Sequence, residues 1–579
     1  MPAITKKKKL IFGITATVIL LLVIAGNIIA GRYKKIIQDV LPEAVSNSTD
    51  SLYRISVKGV SINFLTRSVT LKGVHMWPDD SEVQKREQDS TAKPMYFDVN
   101  IPKLKVSGIM WDKLTGGKGF SCGNFTITKP QVTISRTAPE LTVYDTAKKK
   151  PIDKDFTVSL LKVTDANVRY IFSKHNYTDT VFFNRCNVEL NNWQYAEGSL
   201  SDTGKFLMAE NGFINTGVFT YSPSTSLYRH SCKNLRFNSE ENKLTATDFR
   251  MKLRVTEAEF YRQNNTQKEI YDLVFPTIEF DHIDRNRLKT DKVFSSTTAY
   301  LNHSKITVSI DRRHPPNTIS KLGKFPNQVL MNMKLPLEIA RIKINNGSVA
   351  YTEVSDKTGK EATINFDNIN GTVNNVVNTE NAIQKDSTAL ATLKCKFNKY
   401  TDVTCAFRFS LTDPRGYFTL NASLAGMQSH QLNDQIKAFS MLELKSLNMK
   451  SMSLRMAGNE NYAHGNFTML YSNLGIRIMK NERNLSGDKK TKGFLTFVAN
   501  NMILYSNNPM VGGDVRSIKT RVKRDELKSF FNLIWQNILQ GVRETTIRNM
   551  NVIEWIRKNE RNNNAIFNRE RKKARKRDE

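Results

Sequence analysis

The chain of 579 residues is poor in the residues that mark small stapled folds. Its five cysteines are odd in number, and their spacing matches no zinc pattern. Glycine (28) and proline (16) are sparse, which excludes a collagen-like or mostly disordered chain. Acidic residues (55) are outnumbered by Lys and Arg (86), giving a net charge of +31. Such a charge attracts polyanions, whether nucleic acid, anionic lipid or lipopolysaccharide.

Catalytic signatures are also missing. The sequence contains no HExxH or GxSxG motif and no His–Cys cluster, and its eight histidines are scattered. The run DHID, Asp281 to Asp284, could offer metal ligands or could simply be a polar strand face. The basic stretches match no nucleic-acid-binding module. We therefore expect no enzyme, no catalytic residue, no metal, no cofactor and no nucleic-acid partner.

Only one long apolar run is present. Leu10 to Ala30 has 21 residues without charge, and as a helix it would be roughly 30 Å long, the thickness of a bilayer core. The alternative is a signal peptide cleaved after Ala25, but the apolar run continues beyond that residue, which favours a retained anchor. The predicted membrane-embedded side chains are Leu10, Ile11, Phe12, Ile19, Leu20, Leu21, Leu22, Val23, Ile24, Ile28 and Ile29.

Two stretches of the chain resemble each other. SLYRISVKGVSINFLTRSVTLKGVHM begins at Ser51, and SLYRHSCKNLRFNSEENKLTATDFRM begins at Ser226. Apolar residues alternate with polar ones in both, as in a strand with one buried face. The alternation shifts by one residue at Gly59 and at Asn234, which predicts a β-bulge in each copy. The shared shift indicates a true repeat.

The likeness extends further along both copies. VTIS at Val132 matches ITVS at Ile306, and LKVTDANVRY, ending at Tyr170, matches IKINNGSVAY, ending at Tyr351. An Asn-x-x-Asn follows each, beginning at Asn184 and at Asn365. We predict two related β units in which Tyr53 corresponds to Tyr228 and Tyr170 to Tyr351.

A third β-rich stretch and a helix complete the pattern. CAFRFSLTDPRGYFTLNASL alternates on both sides of a DPRG turn and predicts a hairpin. Cys395 and Cys405 flank a short loop before it, so a disulfide and two reduced thiols both remain open. From Asp525 onward apolar residues follow helical spacing with an acidic first turn. The predicted apolar face of this helix comprises Leu527, Phe530, Phe531, Ile534, Trp535 and Ile538.

These features divide the chain into eight segments. They are a basic cytoplasmic segment (1–9), the anchor (10–30), a linker (31–50), β unit 1 (51–225), β unit 2 (226–400), a C-terminal β region (401–524), an amphipathic helical segment (525–558) and a basic tail (559–579).

The strand motifs resemble a known family. SLYRISVKGVSINFLTRSVTLKGVHMWPD, IKINNGSVAYTE, FSLTDPRGYFTLNASL, HGNFTMLYSNLGIRIM and FVANNMILYSNNP are similar to AsmA-like envelope proteins of the Bacteroidetes type. These are related to bridge-like lipid-transfer proteins built from repeating β-groove units. The resemblance covers the chain from the anchor to about Gly541, and the basic tail departs from it.

The resemblance implies a mainly β fold: a membrane helix, a long curved antiparallel groove of repeated units, and a closing amphipathic helix. It implies an inner-membrane anchor, a periplasmic body and phospholipids as partners, together with other envelope proteins. Tandem filled sandwiches would show the same alternation. The candidate groove-lining residues are Tyr53, Ile55, Val57, Ile62, Phe64, Leu235, Phe237, Phe407, Phe409, Phe418 and Leu420.

Three functions remain in competition. The first is binding or conducting lipids between the inner and outer membranes, in support of outer-membrane integrity. The second is a non-catalytic scaffold of the cell envelope. The third, suggested by the net charge, is an exported protein that binds polyanions.

Overall fold

The computed structural model describes residues 33–88, 95–115, 119–136, 155–174, 177–195, 204–356, 358–439, 442–478 and 504–548. The fold is mainly β, as predicted. The helices are α1 (Tyr33–Ser48), α2 (Asp80–Gln88), α3 (Trp111–Thr115), α4 (Glu257–Asn264), α5 (Arg285–Thr290), α6 (Pro326–Met331), α7 (Glu380–Lys385), α8 (Asn433–Phe439) and α9 (Phe530–Thr546), with one 3-10 turn at Ser429–Gln431.

The first strands are β1 (Tyr53–Asn63), β2 (Ser68–Pro78), β3 (Met95–Ser107), β4 (Gly119–Thr128), β5 (Gln131–Arg136), β6 (Asp155–Lys174), β7 (Tyr177–Tyr195), β8 (Asn211–Asn215), β9 (Val218–Tyr221), β10 (Tyr228–Cys232), β11 (Asn234–Asn238) and β12 (Lys243–Leu253). The later strands are β13 (Ile270–Asp281), β14 (Phe294–Asn302), β15 (Lys305–Asp311), β16 (Leu337–Val354), β17 (Glu361–Val377), β18 (Thr388–Phe397), β19 (Thr401–Ser410), β20 (Phe418–Leu424), β21 (Met427–Gln428), β22 (Leu442–Gly458), β23 (Tyr462–Ile478) and β24 (Ser517–Lys523).

The chain forms two compact units. The first comprises Met1–Thr256 with Leu273–Tyr300, and the second comprises Glu257–Asp272 with Leu301–Glu579. The predicted repeat boundary between residues 225 and 226 therefore lies inside the first unit. The anchor at 10–30 and the basic tail lie outside the described residues, and among the described helices none is long and apolar enough to cross a bilayer.

Within the first unit, successive strands are paired edge to edge. β4 and β5 lie end to end between β3 and β6, and β8 and β9 lie end to end beside β7. β11 and β10 follow them, and both pair with β12, which pairs with β13. Most pairs are antiparallel, but β4 and β5 run parallel to β6.

In the second unit the strands follow one another closely in chain order. β15 runs parallel to β16, and the remaining pairs from β16 to β24 are antiparallel. The hairpin predicted around DPRG is confirmed as β19 and β20, whose turn is closed by the Gly416 N–H donating to the Asp413 carbonyl at 3.0 Å.

The register of the strands confirms the repeat. Tyr53 pairs with Pro78, and Tyr228 pairs with Leu253, so both members of the pair move by 175 residues. The same shift relates Asn63–Ser68 to Asn238–Lys243 at the other end of the two hairpins. Identical pairing over the whole hairpin means that the sequence likeness reflects one structural unit used twice.

The predicted bulges at Gly59 and Asn234 are wrong. The β1–β2 register runs from Tyr53–Pro78 to Asn63–Ser68 without an inserted residue. Both strands instead change their buried face at the same level, where Gly73 has φ +60° and its counterpart Asp248 has φ +54°. One left-handed residue on the second strand rotates the hairpin and keeps the ladder in register, because that conformation turns the backbone without adding length.

Substitution at Gly73 tests this account. A Cβ there would lie 2.8 Å from Lys58 Cδ, whose flexible chain can move, but a β-branched residue resists the left-handed conformation. We expect Gly73→Val to lower the free energy of unfolding by about 2 kcal/mol or more, and Gly73→Asn by clearly less. Urea titration measures both, and equal effects would contradict the left-handed requirement.

The long hairpins repeat as well. Val163 pairs with Val188 in β6–β7, and Ile344 pairs with Gly371 in β16–β17. The residue numbers of the two copies therefore differ by 181 on the first strand and by 183 on the second. The bulges correspond too, since Ala166–Cys186 becomes Gly347–Ile369.

Asparagines hold both bulges in the same way. The Asp165 N–H donates to Asn187 Oδ1 at 3.1 Å, and the Asn346 N–H donates to Asn370 Oδ1 at 3.0 Å. The predicted match between the two Asn-x-x-Asn motifs was wrong by two residues, because Asn187 corresponds to Asn370 and not to Asn368.

One end of the first unit has a filled core. Helix α1 is joined to β1 by a tight turn, and its Leu41 and Val45 are buried in one cluster with side chains of β1 to β4. Tyr53, Ile55 and Val57 belong to this cluster, so their assignment to an open groove is wrong. The helix supplies the second layer that an alternating strand needs to bury its apolar face.

The far end of the second unit is also filled. Helix α9 packs on β23 and β24 and buries Phe530, Leu533 and Ile534. Phe409, Phe418 and Leu420 lie in the same buried cluster, and Phe407 is half-buried against it. These four residues therefore form a packed core, not an open groove.

The helix itself begins later than predicted. It starts at Phe530, and Asp525 lies before it, accepting the Leu527 N–H at 3.0 Å. Leu527 is half-buried outside the helix, and Ile538 is half-buried against the core. Phe531 and Trp535 are exposed at one edge of the predicted apolar face, and the Phe531 ring still lies 5.3 Å from that of buried Phe530.

Cys395 and Cys405 are both free thiols. Cys395 pairs with Val403, and Cys405 pairs with Leu393, so the two cysteines are diagonal neighbours. Diagonal Cβ atoms lie about 7 Å apart, too far for a disulfide. Burial raises the pKa of Cys395 to about 11, which keeps this thiol protonated and unreactive.

Candidate functional site

An apolar row crosses ten strands of the first unit. Each residue is the cross-strand partner of the next, and every one is aliphatic or aromatic. The row is Val60, Leu71, Leu104, Ile127, Val163, Val188, Ile214, Phe237, Leu244 and Phe280. Directly paired side chains point to the same face of a sheet, so the row forms one apolar line.

A second row crosses β3, β5, β6, β7, β9, β10, β12 and β13. It consists of Phe97, Ile134, Tyr170, Val181, Tyr221, His230, Met251 and Leu273. Burial lowers the pKa of His230, which keeps its ring neutral at neutral pH. Apart from this imidazole and the tyrosine hydroxyls, the row is apolar.

The two ends of these rows differ in burial. Leu71 and Leu104 are buried in the core under α1. From β8 to β13 the side chains of both rows are only half-buried, and they belong to neither buried cluster, although Cys232, Ala246 and Ile270 of the same strands are buried. We call the following eight residues the open face: Ile214, Phe219, Leu235, Phe237, Leu244, Phe249, Phe275 and Phe280.

Aromatic contacts keep the open face ordered. Ring centroids lie 5.3 Å apart for Phe183 and Phe219, and 6.2 Å apart for Phe249 and Phe275. Phe280 meets Phe294 edge to face at 5.1 Å. These distances fall in the favourable range for aromatic pairs, so neighbouring rings shield one another, although among the residues that the structure describes no second layer of buried side chains completes a core there.

The opposite side of the same strands is polar. Lys162 pairs with Glu189 at 3.1 Å, and Lys243 pairs with Glu279 at 2.8 Å. Thr247, on the same strand as Lys243, is exposed. One face of the sheet is thus suited to water and the other to hydrocarbon, and a strand that is apolar on one side only needs something to cover that side.

The second unit contains a shorter version of this arrangement. Ile306, Val349, Phe366 and Phe397 are cross-strand partners in β15 to β18 and are half-buried. Further along, the parallel row through Ala391, Phe407 and Leu420 passes beneath α9. The apolar face is therefore covered by α9 at one end, Phe397 packs against the same buried cluster, and Ile306, Val349 and Phe366 are only half-buried.

Of the groove-lining candidates, only Leu235 and Phe237 belong to the open face. Ile62 is half-buried against the filled core, and Phe64 lies exposed on a turn. Sequence reasoning missed most of the open face, including Phe249, Phe275 and Phe280. The stretch YDLVFPTIEFD carried the signal, because its alternation changes phase at Pro276 and then resumes.

The DHID run has structural roles. Asp284 caps α5 by accepting the Arg287 N–H at 3.0 Å, and Asp281 lies 3.7 Å from Lys243 Nζ. Within the described ranges no group of three or more His, Cys, Asp or Glu side chains could hold a metal ion. The absence of an enzymatic activity stays a prediction.

No protein-family model matches the chain, and no curated protein sequence matches it.

Proposed function

We propose that this protein is an inner-membrane-anchored periplasmic protein that binds the acyl chains of lipids on its open face and conducts lipids between the inner and outer membranes. The half-buried apolar row through Phe237, Leu244 and Phe280 carries the proposal. The resemblance of the strand motifs to AsmA-like envelope proteins supports it, as does the predicted anchor at 10–30.

The dimensions of the open face suit a lipid. Neighbouring strands lie about 4.8 Å apart, so the four row positions of the open face, from Ile214 to Phe280, span about 14 Å. One leaflet of hydrocarbon is about 15 Å deep, so nearly the whole of an extended acyl chain fits along these four positions. Each methylene buried on the open face contributes about 0.8 kcal/mol to the binding free energy. The opposite face of the sheet is polar, so head groups can stay hydrated.

The scaffold hypothesis assigns the same surface to a different occupant. An apolar face of this size would equally be covered by another protein of the envelope or by a second copy of the chain. The two hypotheses differ in whether the purified protein carries lipid.

Mass spectrometry of lipids extracted from the purified full-length protein tests the proposal. We expect stoichiometric phospholipid with the natural sequence and a several-fold loss with Phe249→Glu plus Phe275→Glu, because a carboxylate excludes hydrocarbon from the row. Both rings are half-buried, so the variant can hydrate the new charges and stay folded.

Thr247→Glu is the matched control, since Thr247 is an exposed residue of the polar face of the same strand β12. It should retain lipid. A natural protein without lipid would reject lipid binding and favour the scaffold hypothesis. Equal lipid in all three proteins would reject the open face as the place where the lipid binds.

A further inference from the structure

The tip of the β1–β2 hairpin displays large apolar side chains to solvent. Phe64 is 71% exposed and Leu65 is 97% exposed. Met110 lies beside them, because the N–H of the neighbouring Ile109 donates to the Arg67 carbonyl at 3.1 Å. Its side chain is 44% exposed. We call these three residues the apolar tip.

The turn that carries the apolar tip is well held. The Thr66 N–H donates to Asn63 Oδ1 at 3.0 Å, and the Arg67 N–H donates to the Phe64 carbonyl at 3.3 Å. Arg67 adopts a left-handed conformation with φ +46°. Phe64 and Leu65 therefore project from a defined turn.

The repeat provides the same turn with different side chains. Asn242, the counterpart of Arg67, has φ +49° and accepts the Ile283 N–H at 2.8 Å. The counterparts of Phe64, Leu65 and Met110 are Ser239, Glu240 and Asp284. Since this backbone forms with polar residues, folding of the hairpin does not require an apolar tip.

A basic surface adjoins the apolar tip. Lys72, Lys103 and Lys105 are exposed and line one shallow recess with Ser61 and Thr70. Lys72 and Lys103 are directly opposed across β2 and β3, an arrangement that destabilises a sheet. None of the three has an ion-pair partner in the part of the chain that the structure describes.

The repeat again lacks this feature. The register places Thr247 and Thr277 where the first hairpin has Lys72 and Lys103, and Glu279 where it has Lys105. An apolar tip and a basic flank occur together in the first copy, and both are absent from the second. Their joint presence indicates a ligand that is apolar inside and anionic outside.

The hairpin also points in a definite direction. Helix α1 is joined to β1 by the turn at Thr49–Leu52, and its buried Leu41 and Val45 place it back along the strand. Its first residue, Tyr33, therefore lies toward the apolar tip. The predicted anchor ends at Ala30, three residues before this helix begins.

We propose that the apolar tip inserts into the interfacial region of an anionic leaflet, and that Lys72, Lys103 and Lys105 contact its head groups. Exposed Phe and Leu side chains partition into this region, while basic residues are drawn to anionic lipid. The proposal depends on the predicted anchor only for the identity of the membrane, and it does not require the open face to bind lipid.

Fluorescence quenching in vesicles tests the insertion. The full-length protein carrying Leu65→Cys is labelled with an environment-sensitive dye and reconstituted into vesicles of phosphatidylglycerol and brominated phosphatidylcholine. We expect a blue-shifted emission and strong quenching by the brominated chains. Glu240→Cys, at the matching position of the second hairpin, should show little of either, and labelled natural protein gives the background from native cysteines.

The lysines are tested by giving the first hairpin the residues of the second. In Lys72→Thr, Lys103→Thr and Lys105→Glu combined, we expect quenching at Leu65→Cys to fall toward the Glu240→Cys level, because each basic residue near an anionic surface is worth roughly fivefold in the insertion equilibrium. The thermal unfolding midpoint should not fall, because the substitutions remove the directly opposed Lys72 and Lys103.

Equal quenching at the two labelled positions would overturn the proposal. A blue shift at Leu65→Cys without quenching by brominated lipid would also overturn it, since the tip would then be covered by protein, such as a second copy of the chain. If quenching were the same with and without the three lysine substitutions, and at every phosphatidylglycerol content, the role given to the basic surface would be rejected.

Discussion

Phe418→Glu is expected to unfold the second unit. Phe418 is completely buried, and its ring lies 4.8 Å from that of Phe530 and 5.9 Å from that of Phe325. Losing a buried phenyl ring costs about 3–5 kcal/mol, and an unpaired buried carboxylate adds several more. Because a whole domain is stable by only about 5–15 kcal/mol, the folded state should be lost.

Circular dichroism and proteolysis of the purified variant measure this effect. Phe418→Leu serves as the control, since a smaller apolar side chain should cost about 1–1.5 kcal/mol and keep the unit folded. A folded Phe418→Glu protein that had merely lost lipid would mean that the face beneath α9 is an open groove and not a core.

Removing α9 should have a comparable effect. Deletion from Asp525 takes away Phe530, Leu533 and Ile534, each of which contributes about 1.5–3 kcal/mol by burial, and uncovers the buried Phe467 and its neighbours. The packing is close, because a methyl group on Gly541 would overlap the Phe467 ring. We expect insoluble protein or a strongly lowered unfolding midpoint.

The control is a deletion after Arg557, which leaves α9 intact and removes the whole basic tail, residues 559–579. It should leave the unfolding midpoint unchanged and weaken salt-sensitive binding to anionic vesicles. Size-exclusion chromatography and thermal unfolding compare the two proteins. If the longer deletion remained soluble and equally stable, α9 would not be the cover of this core.

The two hairpins show how far repetition alone predicts structure. The likeness between Ser51 and Ser226 correctly predicted that Tyr53 and Tyr228 occupy equivalent positions, because a strand register depends on the local order of apolar and polar residues. The predicted cause of the shift in the apolar face, a β-bulge, was wrong. Gly59 and Asn234 looked like bulge residues, but a left-handed residue on the partner strand, Gly73 or Asp248, makes the change.

The candidate site was harder to predict than the fold. Tyr53 and Phe418 alternate with polar neighbours in the same way as Phe237 does, yet the first two are core residues and the third lies on the open face. An alternating pattern reports that one face of a strand avoids water. It does not report what covers that face.

The sequence by itself determined the mainly β fold and the polar back of the sheet, since both follow from alternation with a period of two residues. It also determined the repeated hairpins, through the likeness between the stretches that begin at Ser51 and Ser226. Only the tertiary structure decided which apolar side chains are covered. Helix α1 fills one end of the first unit and α9 one end of the second, whereas Phe237, Leu244 and Phe280 remain half-buried. Covering depends on contacts between segments far apart in the chain, such as Phe325, Phe418 and Phe530, and no local pattern encodes such contacts.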